Sequence, residues 1–481
     1  MSQYKNTLPM PIKARPYYHQ TQIFDFVCWL FGLLDNTFRS AGAAILAEMG
    51  TGKTMCAIAM AGILYQLGLI KSVLIVCPLT LTSVWEDEFS KFADFPFTLT
   101  VLNGSSSKKK QTLSALDKND FNIVVINYES SWRLLDELLA FAPDLTICDE
   151  GHKIKEGRSK QSKAMHDIGD VSKYKLLLTG TLITNKEIDV FSQYRFINKD
   201  IFGTSFYRYR SRYFDMKGYG NHTPVFREVM QDEFLQKLHS IAFRVRKEDC
   251  LDLPEIREEV RKVRLEPKAE KLYDSVLQES YAELEKGEVS TPNVLTRLLR
   301  LSQITGGFVT DDDGNVSAVS TAKLEALSDL IDEAMEENQK LVIMARFVAE
   351  LDAIEEMLAK KHIGYSVIRG GIKDRDSQIK RFQNDADCMV FLGQISAAGL
   401  GLTLTAASTM IFYSLNYSMS DFEQAKARIH RVSQKNDCRY IYLSCVGTVD
   451  TKVLKALRDK VDLAKMLIDD YRKGLNPYKE N

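Results

Sequence analysis

From Ala43 onward, short apolar runs alternate with amphipathic stretches. The runs AAILAEM, SVLIVCP, TLTVLNG, NIVVINYE, LTICDE and YKLLLTG are rich in β-branched residues. They predict strands, and the segments between them, such as Lys53 to Leu67 and Thr82 to Phe92, predict helices. Such βαβα alternation implies a parallel sheet covered on both faces. The rhythm stops near Ile197. A stretch rich in Arg, Tyr and Phe follows, then helix formers such as AEKLYDSVLQESYAELEKGE, up to about Thr321. The alternation then returns with KLVIMARF, YSVIRG, CMVFLG, TMIFYSL and CRYIYLSCV. The pattern predicts an α/β chain of two lobes with a mostly helical insertion between them. The break is expected near Leu251 to Glu255, where Pro254 interrupts the chain, so that the lobes run over 1–250 and 251–481.

Composition narrows the partners. Lys plus Arg total 63 against 64 for Asp plus Glu, so net charge carries no sign of a polyanion and any basic surface must be local. The 8 cysteines include no Cys-x-x-Cys pair; Cys77 and Cys148 fall in apolar runs and are expected as free buried thiols. The N-terminal MSQYKNTLPM has no apolar core, and the apolar stretch Phe24 to Leu34 is too short to span a bilayer. A soluble, cytoplasmic protein without a membrane partner is expected.

Chemistry concentrates first at AEMGTGKT, Ala47 to Thr54, between a predicted strand and a predicted helix. In that setting Gly50 and Gly52 let backbone N–H groups converge on phosphate oxygens, Lys53 offers a point charge to the β and γ positions, and Thr54 offers a hydroxyl to Mg²⁺. The helix N-terminus adds its positive dipole end. A Gly-rich turn can also be only a turn; the strand–turn–helix setting favours the phosphate. About a hundred residues on, LTICDEGH ends a strand in Asp149 and Glu150. Asp149 suits Mg²⁺ ligation, and Glu150 suits orienting or deprotonating an attacking water.

The order PYYHQ (Pro16 to Gln20), AEMGTGKT, DEGH (Asp149 to His152), LTGT (Leu178 to Thr181), GLGLTLTAA (Gly399 to Ala407) and QAKARIHRVSQ (Gln424 to Gln434) resembles the superfamily 2 helicases and translocases, and within them the Swi/Snf branch. DEGHKIK, VRKEDCLDLPE and RLLRLSQITGGF carry the likeness to that branch, which covers about residues 10 to 470. The resemblance implies two RecA-like doubly wound lobes, ATP and Mg²⁺ as ligands, and DNA-dependent ATP hydrolysis. It implies that Arg428 and Arg431, taken to share one helix face, serve as fingers on the terminal phosphate, an effect of about 10³ to 10⁵ in rate. It assigns Gln20 to the adenine edge, and Gly50, Thr51, Gly52, Lys53, Thr54, Gly399 and Gly401 to ATP binding. His152, Thr179, Gly180, Thr181 and Gln424 become coupling residues. Tyr17 or Tyr18 either stacks on the base or is a core aromatic. Thr80, Tyr128, Arg208, Arg369 and Lys373 are candidate nucleic-acid contacts. The chain departs from the family pattern at Ala47, Leu182, Tyr417 and Ser433, none of which removes a chemical group from the ATP site.

SFYRYRSRYFDMK, Ser205 to Lys217, interleaves arginine with tyrosine. It reads either as a phosphate-gripping segment or as a solvated helix with a buried aromatic face. The resemblance implies sequence-independent action on double-stranded DNA, with forks or junctions and recruiting proteins as further partners, in a bacterial or phage-infected cytoplasm. Two alternatives stand beside this translocase: a strand-separating helicase or fork and branch remodeller, and a low-turnover nucleotide switch.

Overall fold

The computed structural model describes residues 7–117, 120–180, 187–217, 223–250, 253–286, 291–311, 314–372, 374–396 and 403–459, with 463 and 466. The chain divides into two units, Met1–Leu251 and Asp252–Asn481.

In the first unit the predicted runs form β1 (Gly42–Ala47), β2 (Ser72–Cys77), β3 (Thr98–Val101), β4 (Asn122–Asn127), β5 (Leu145–Asp149) and β6 (Tyr174–Thr179). A hairpin, β7 (Phe214–Lys217) with β8 (Thr223–Phe226), precedes β9 (Ala242–Val245). The main sheet has the order β3-β4-β2-β5-β6-β1-β9, and every neighbouring pair is parallel. Parallel strands bury both faces, which is why β1, β4 and β5 are buried at every residue. Register pairs Leu46 with Thr179 and Asp149 with Leu178, so β1, β5 and β6 end side by side. Ligands of such sheets bind at that carboxyl edge.

After β6 the aromatic residues extend the core of the first unit. Phe202 packs against Tyr194, Tyr209, Tyr213 and Phe234 with ring centroids 5.1 to 5.8 Å apart. The buried hydroxyls are satisfied: Tyr194 donates to Leu238 O and Tyr209 to Glu187 O. The helix Phe206–Tyr213 therefore does bury an aromatic face.

The second unit carries β10 (Ile256–Val263), a hairpin of β11 (Phe308–Thr310) and β12 (Val316–Ala318), and then the five strands of the returning rhythm. These are β13 (Leu341–Ala345), β14 (Gly364–Ile368), β15 (Cys388–Gln394), β16 (Thr409–Phe412) and β17 (Cys438–Cys445). Their order is β10-β17-β16-β13-β15-β14, again all parallel. Alternate residues feed opposite faces: Val342, Met344 and Phe391 enter one core, Leu341, Ile343 and Leu392 the other. β10 is an edge strand made of charges. Its register is pinned by pairs of Arg257 with Asp437 (3.1 Å), Glu259 with Arg439 (2.6 Å) and Glu258 with Lys426 (2.6 Å). β7 to β12 thus add strands to the stretch that composition marked as mostly helical.

Candidate functional site

The first site grows from the end of β1. The chain leaves Ala47, turns through residues 48–52, and enters the helix Lys53–Gln66. Gly50 (φ 86°) and Gly52 (φ 90°) hold the left-handed backbone this turn needs. Space adds a second demand at Gly52, where a Cβ would lie 2.2 Å from Gln20 Nε2. Thr51 is buried, and its hydroxyl donates to Glu48 O at 2.7 Å. Lys53 is buried at the helix start, with Nζ donating to Ala47 O at 2.7 Å. Thr54 follows it, half-buried.

β5 delivers Asp149 and Glu150 beside this turn, each 7% exposed. Both oxygens of Asp149 are held: Glu150 N donates to Oδ1 at 2.9 Å and Trp85 Nε1 to Oδ2 at 3.0 Å. Burial pushes the Asp149 carboxyl up, and the neighbouring Glu150 charge pushes it further; Lys53 and the two donors oppose them. Glu150 itself has φ 53°, the left-handed region that a glutamate rarely adopts. That backbone turns its side chain toward His152, whose Nδ1 lies 3.2 Å from Glu150 Oε2. Buried, like-charged carboxylates next to a lysine at a helix N-terminus fit a divalent cation accompanied by phosphate.

Gln20 closes the other side of the turn. Its Oε1 accepts from Tyr17 N at 2.8 Å and its Nε2 donates to Thr51 O at 3.0 Å, so its carboxamide buttresses the turn. Tyr17 and Tyr18 are 50% and 59% exposed, which excludes the core-aromatic reading of both. Thr179 ends β6, fully buried, and Gly180 follows near Ala47; Thr181 lies outside the described residues.

In the second unit, Gln424 lies on the helix Met419–Lys426 and donates to Ser420 Oγ at 3.2 Å. The expected helix over Gln424 to Gln434 is corrected here: it stops at Lys426, and Arg428 and Arg431 lie in successive turns. Competing hydrogen bonds end it. Arg428 O accepts from Leu404 N at 3.0 Å, and Gln434 Nε2 takes Ala407 O at 2.8 Å and Ile429 O at 3.3 Å. Arg428 is 3% exposed, and Arg431 Nη1 donates to Thr403 Oγ1 at 2.7 Å. Gly399 and Gly401 lie outside the described residues.

The expected nucleic-acid contacts divide. Tyr128 is corrected: it is 2% exposed, and its hydroxyl donates to Asp149 O at 2.5 Å, making it a strut beneath the acidic pair. Arg369 is ion-paired with Asp352 and, at 3.6 Å, with Glu355. Arg208 is exposed, on a helix capped by Ser205, while the nearby Arg212 is bound by Glu233. Lys373 and the Thr80 side chain lie outside the described residues. Sequence reasoning missed Trp85 and His19, whose Nε2 is 2.9 Å from Thr51 O. Only the adjacency of His19 to Gln20 hinted at its place.

Comparison with known proteins gives the class. The SNF2-related domain matches residues 19–306, and the helicase conserved C-terminal domain matches residues 322–433. The chain belongs to the SNF2-related family of helicase-type ATPases, and its fold is two RecA-like α/β lobes. An uncharacterized ATP-dependent helicase of Mycoplasma genitalium is 26% identical over 92% of this chain and 42% of its own length. The DNA repair and recombination protein RDH54 of Saccharomyces cerevisiae is 26% identical over 91% of this chain and 50% of its own. The chain thus spans half or less of these relatives' lengths. A solved Sulfolobus solfataricus SWI2/SNF2 ATPase core in complex with dsDNA is 23% identical, with 98% and 99% of the chains covered and a TM-score of 0.48. Among the described residues, no helix is long and apolar enough to cross a membrane.

Proposed function

We propose that the protein is an ATP-driven motor that moves along double-stranded DNA without reading its sequence. The observation that carries the proposal is the meeting of Lys53 and the buried Asp149–Glu150 pair at the carboxyl edge of one sheet. Backbone N–H groups of the turn around Gly50 and Gly52 receive phosphate oxygens, and the Lys53 ammonium exchanges Ala47 O for them. Thr54 and Asp149 would hold Mg²⁺, which would neutralise phosphate charge. Glu150, aimed by its left-handed backbone, orients the attacking water and accepts its proton. Arg428 and Arg431 supply the cations that the family resemblance assigns to the terminal phosphate. Duplex DNA as the track is supported by that resemblance, and action on DNA by the name of the yeast relative.

The test is the ATPase rate with no nucleic acid, single strands, duplex, forks, four-way junctions and RNA. Duplex is expected to stimulate most. Lys53→Ala should abolish turnover and nucleotide binding. Arg431→Ala should cut turnover by about 10³ or more while binding persists. A rate indifferent to DNA would leave the nucleotide-switch reading. Strand displacement together with fork preference would replace translocation by unwinding.

A further inference from the structure

We infer that Trp85 is a positioning residue for the carboxylate that holds Mg²⁺, and that it ties this carboxylate to the turn after β2. The inference rests on the nucleotide site proposed above. Trp85 is 1% exposed, and the only polar atom of its side chain, Nε1, donates to Asp149 Oδ2 at 3.0 Å. Such a bond to an ionised acceptor is strong and directional. With Glu150 N on Oδ1, each carboxylate oxygen already has one donor, so the lone pairs left for a cation point in set directions.

The indole is in turn fixed from behind. Its ring packs on Phe89 at 6.1 Å, and Phe89 packs on Phe97 at 5.3 Å. Trp85 belongs to the helix Thr82–Phe92, whose first residue is bonded to the preceding turn through Thr82 Oγ1 and Leu79 O at 2.8 Å. That turn, Leu79–Leu81, leaves β2 at the same carboxyl edge, and Leu79 is 60% exposed. A rigid path therefore runs from an exposed turn through one indole N–H to Asp149. An apolar side chain of equal size would fill the same core, so the N–H is the feature that packing does not require.

Two substitutions isolate it: Trp85→Phe, and replacement of Trp85 by benzothienylalanine, which keeps the bicyclic shape and loses only the N–H. Binding of a fluorescent ATP analogue is measured with and without Mg²⁺, alongside intrinsic tryptophan emission. In the wild type, Mg²⁺ should tighten binding and shift the emission. Both variants should need about tenfold more Mg²⁺ for half-maximal tightening and bind the Mg²⁺-free nucleotide as the wild type does. Variants with the wild-type Mg²⁺ requirement would overturn the inference. So would equal losses with and without Mg²⁺, which would mark a purely structural tryptophan. A wild type that binds no nucleotide would instead overturn the site itself, and this inference with it.

Discussion

Asp149 in the first unit and Glu350 in the second are 7% and 2% exposed, and burial pushes both carboxyls up. Their surroundings separate them. Glu350 Oε2 accepts from Phe347 N at 3.0 Å, Arg346 N at 3.1 Å and Ser414 Oγ at 2.5 Å. It fixes the start of the helix Val348–Lys360 to the ends of β13 and β16. The buried ammonium nearby, Lys323, has its own partner in Asp450 at 2.6 Å. Asp149 instead sits beside a second acid in left-handed backbone, with a lysine at a helix start close by. Around Glu350 three donors hold one oxygen and the nearby cation is already taken by Asp450, which suits an acid that holds a fold together. An acid directly adjacent in the chain, with a lysine at a helix start, marks a place for a charged ligand.

Breaking the first site should have the largest effect. Glu150→Gln keeps volume and removes the like charge beside Asp149. Turnover should fall by about 10² to 10⁴, measured as steady-state kcat, while nucleotide affinity is retained. Equal loss of affinity would make Glu150 a binding group rather than a base.

The second site should answer to pH. Glu350 in the folded chain is raised from 4.5 to about 7, so the native state keeps a proton that the unfolded chain has lost across that range. Its contribution to stability is complete below pH 4.5 and is lost as pH rises to about 7, roughly 3 kcal/mol in all. Urea unfolding of the wild type and Glu350→Gln from pH 4.5 to 8 should show their difference changing by that amount. A difference constant with pH would remove Glu350 from the account.

Tyr128→Phe is a smaller cut into the first site. It deletes the hydroxyl under Asp149 O and should cost about 1 kcal/mol in unfolding free energy. The smallest effect carries the same contrast to arginines. Arg208→Ala should lower the salt dependence of duplex binding by about one phosphate contact. Arg212→Ala and Arg369→Ala, already held by Glu233 and by Asp352, should leave it unchanged.

Each strand foreseen from the alternating runs is a strand of the two sheets, because an apolar β-branched run between helices has few other ways to bury itself. β10 escaped because IREEVRKV, as an edge strand, holds Arg257, Glu258 and Glu259 in ion pairs and sends only its valines toward the core. β9 is only AFRV, too short for periodicity to speak. At QAKARIHRVSQ a helical spacing misled, since bonds to Leu404 and Ala407 close the segment and both come from a distant part of the chain. AEMGTGKT and DEGH were legible because their chemistry is local. Trp85 was not: its own helix makes it an ordinary core aromatic, and only the packing of that helix over β3 and β4 brings its N–H to Asp149.

The 2.2 Å between Gln20 Nε2 and the place of a Cβ on Gly52 ties two positions far apart in the chain into one inheritance. Any side chain at 52 evicts the Gln20 amide from Thr51 O and asks a left-handed backbone of a residue that resists it. Descendants of this chain should therefore keep glycine at 52 for as long as they keep Gln20.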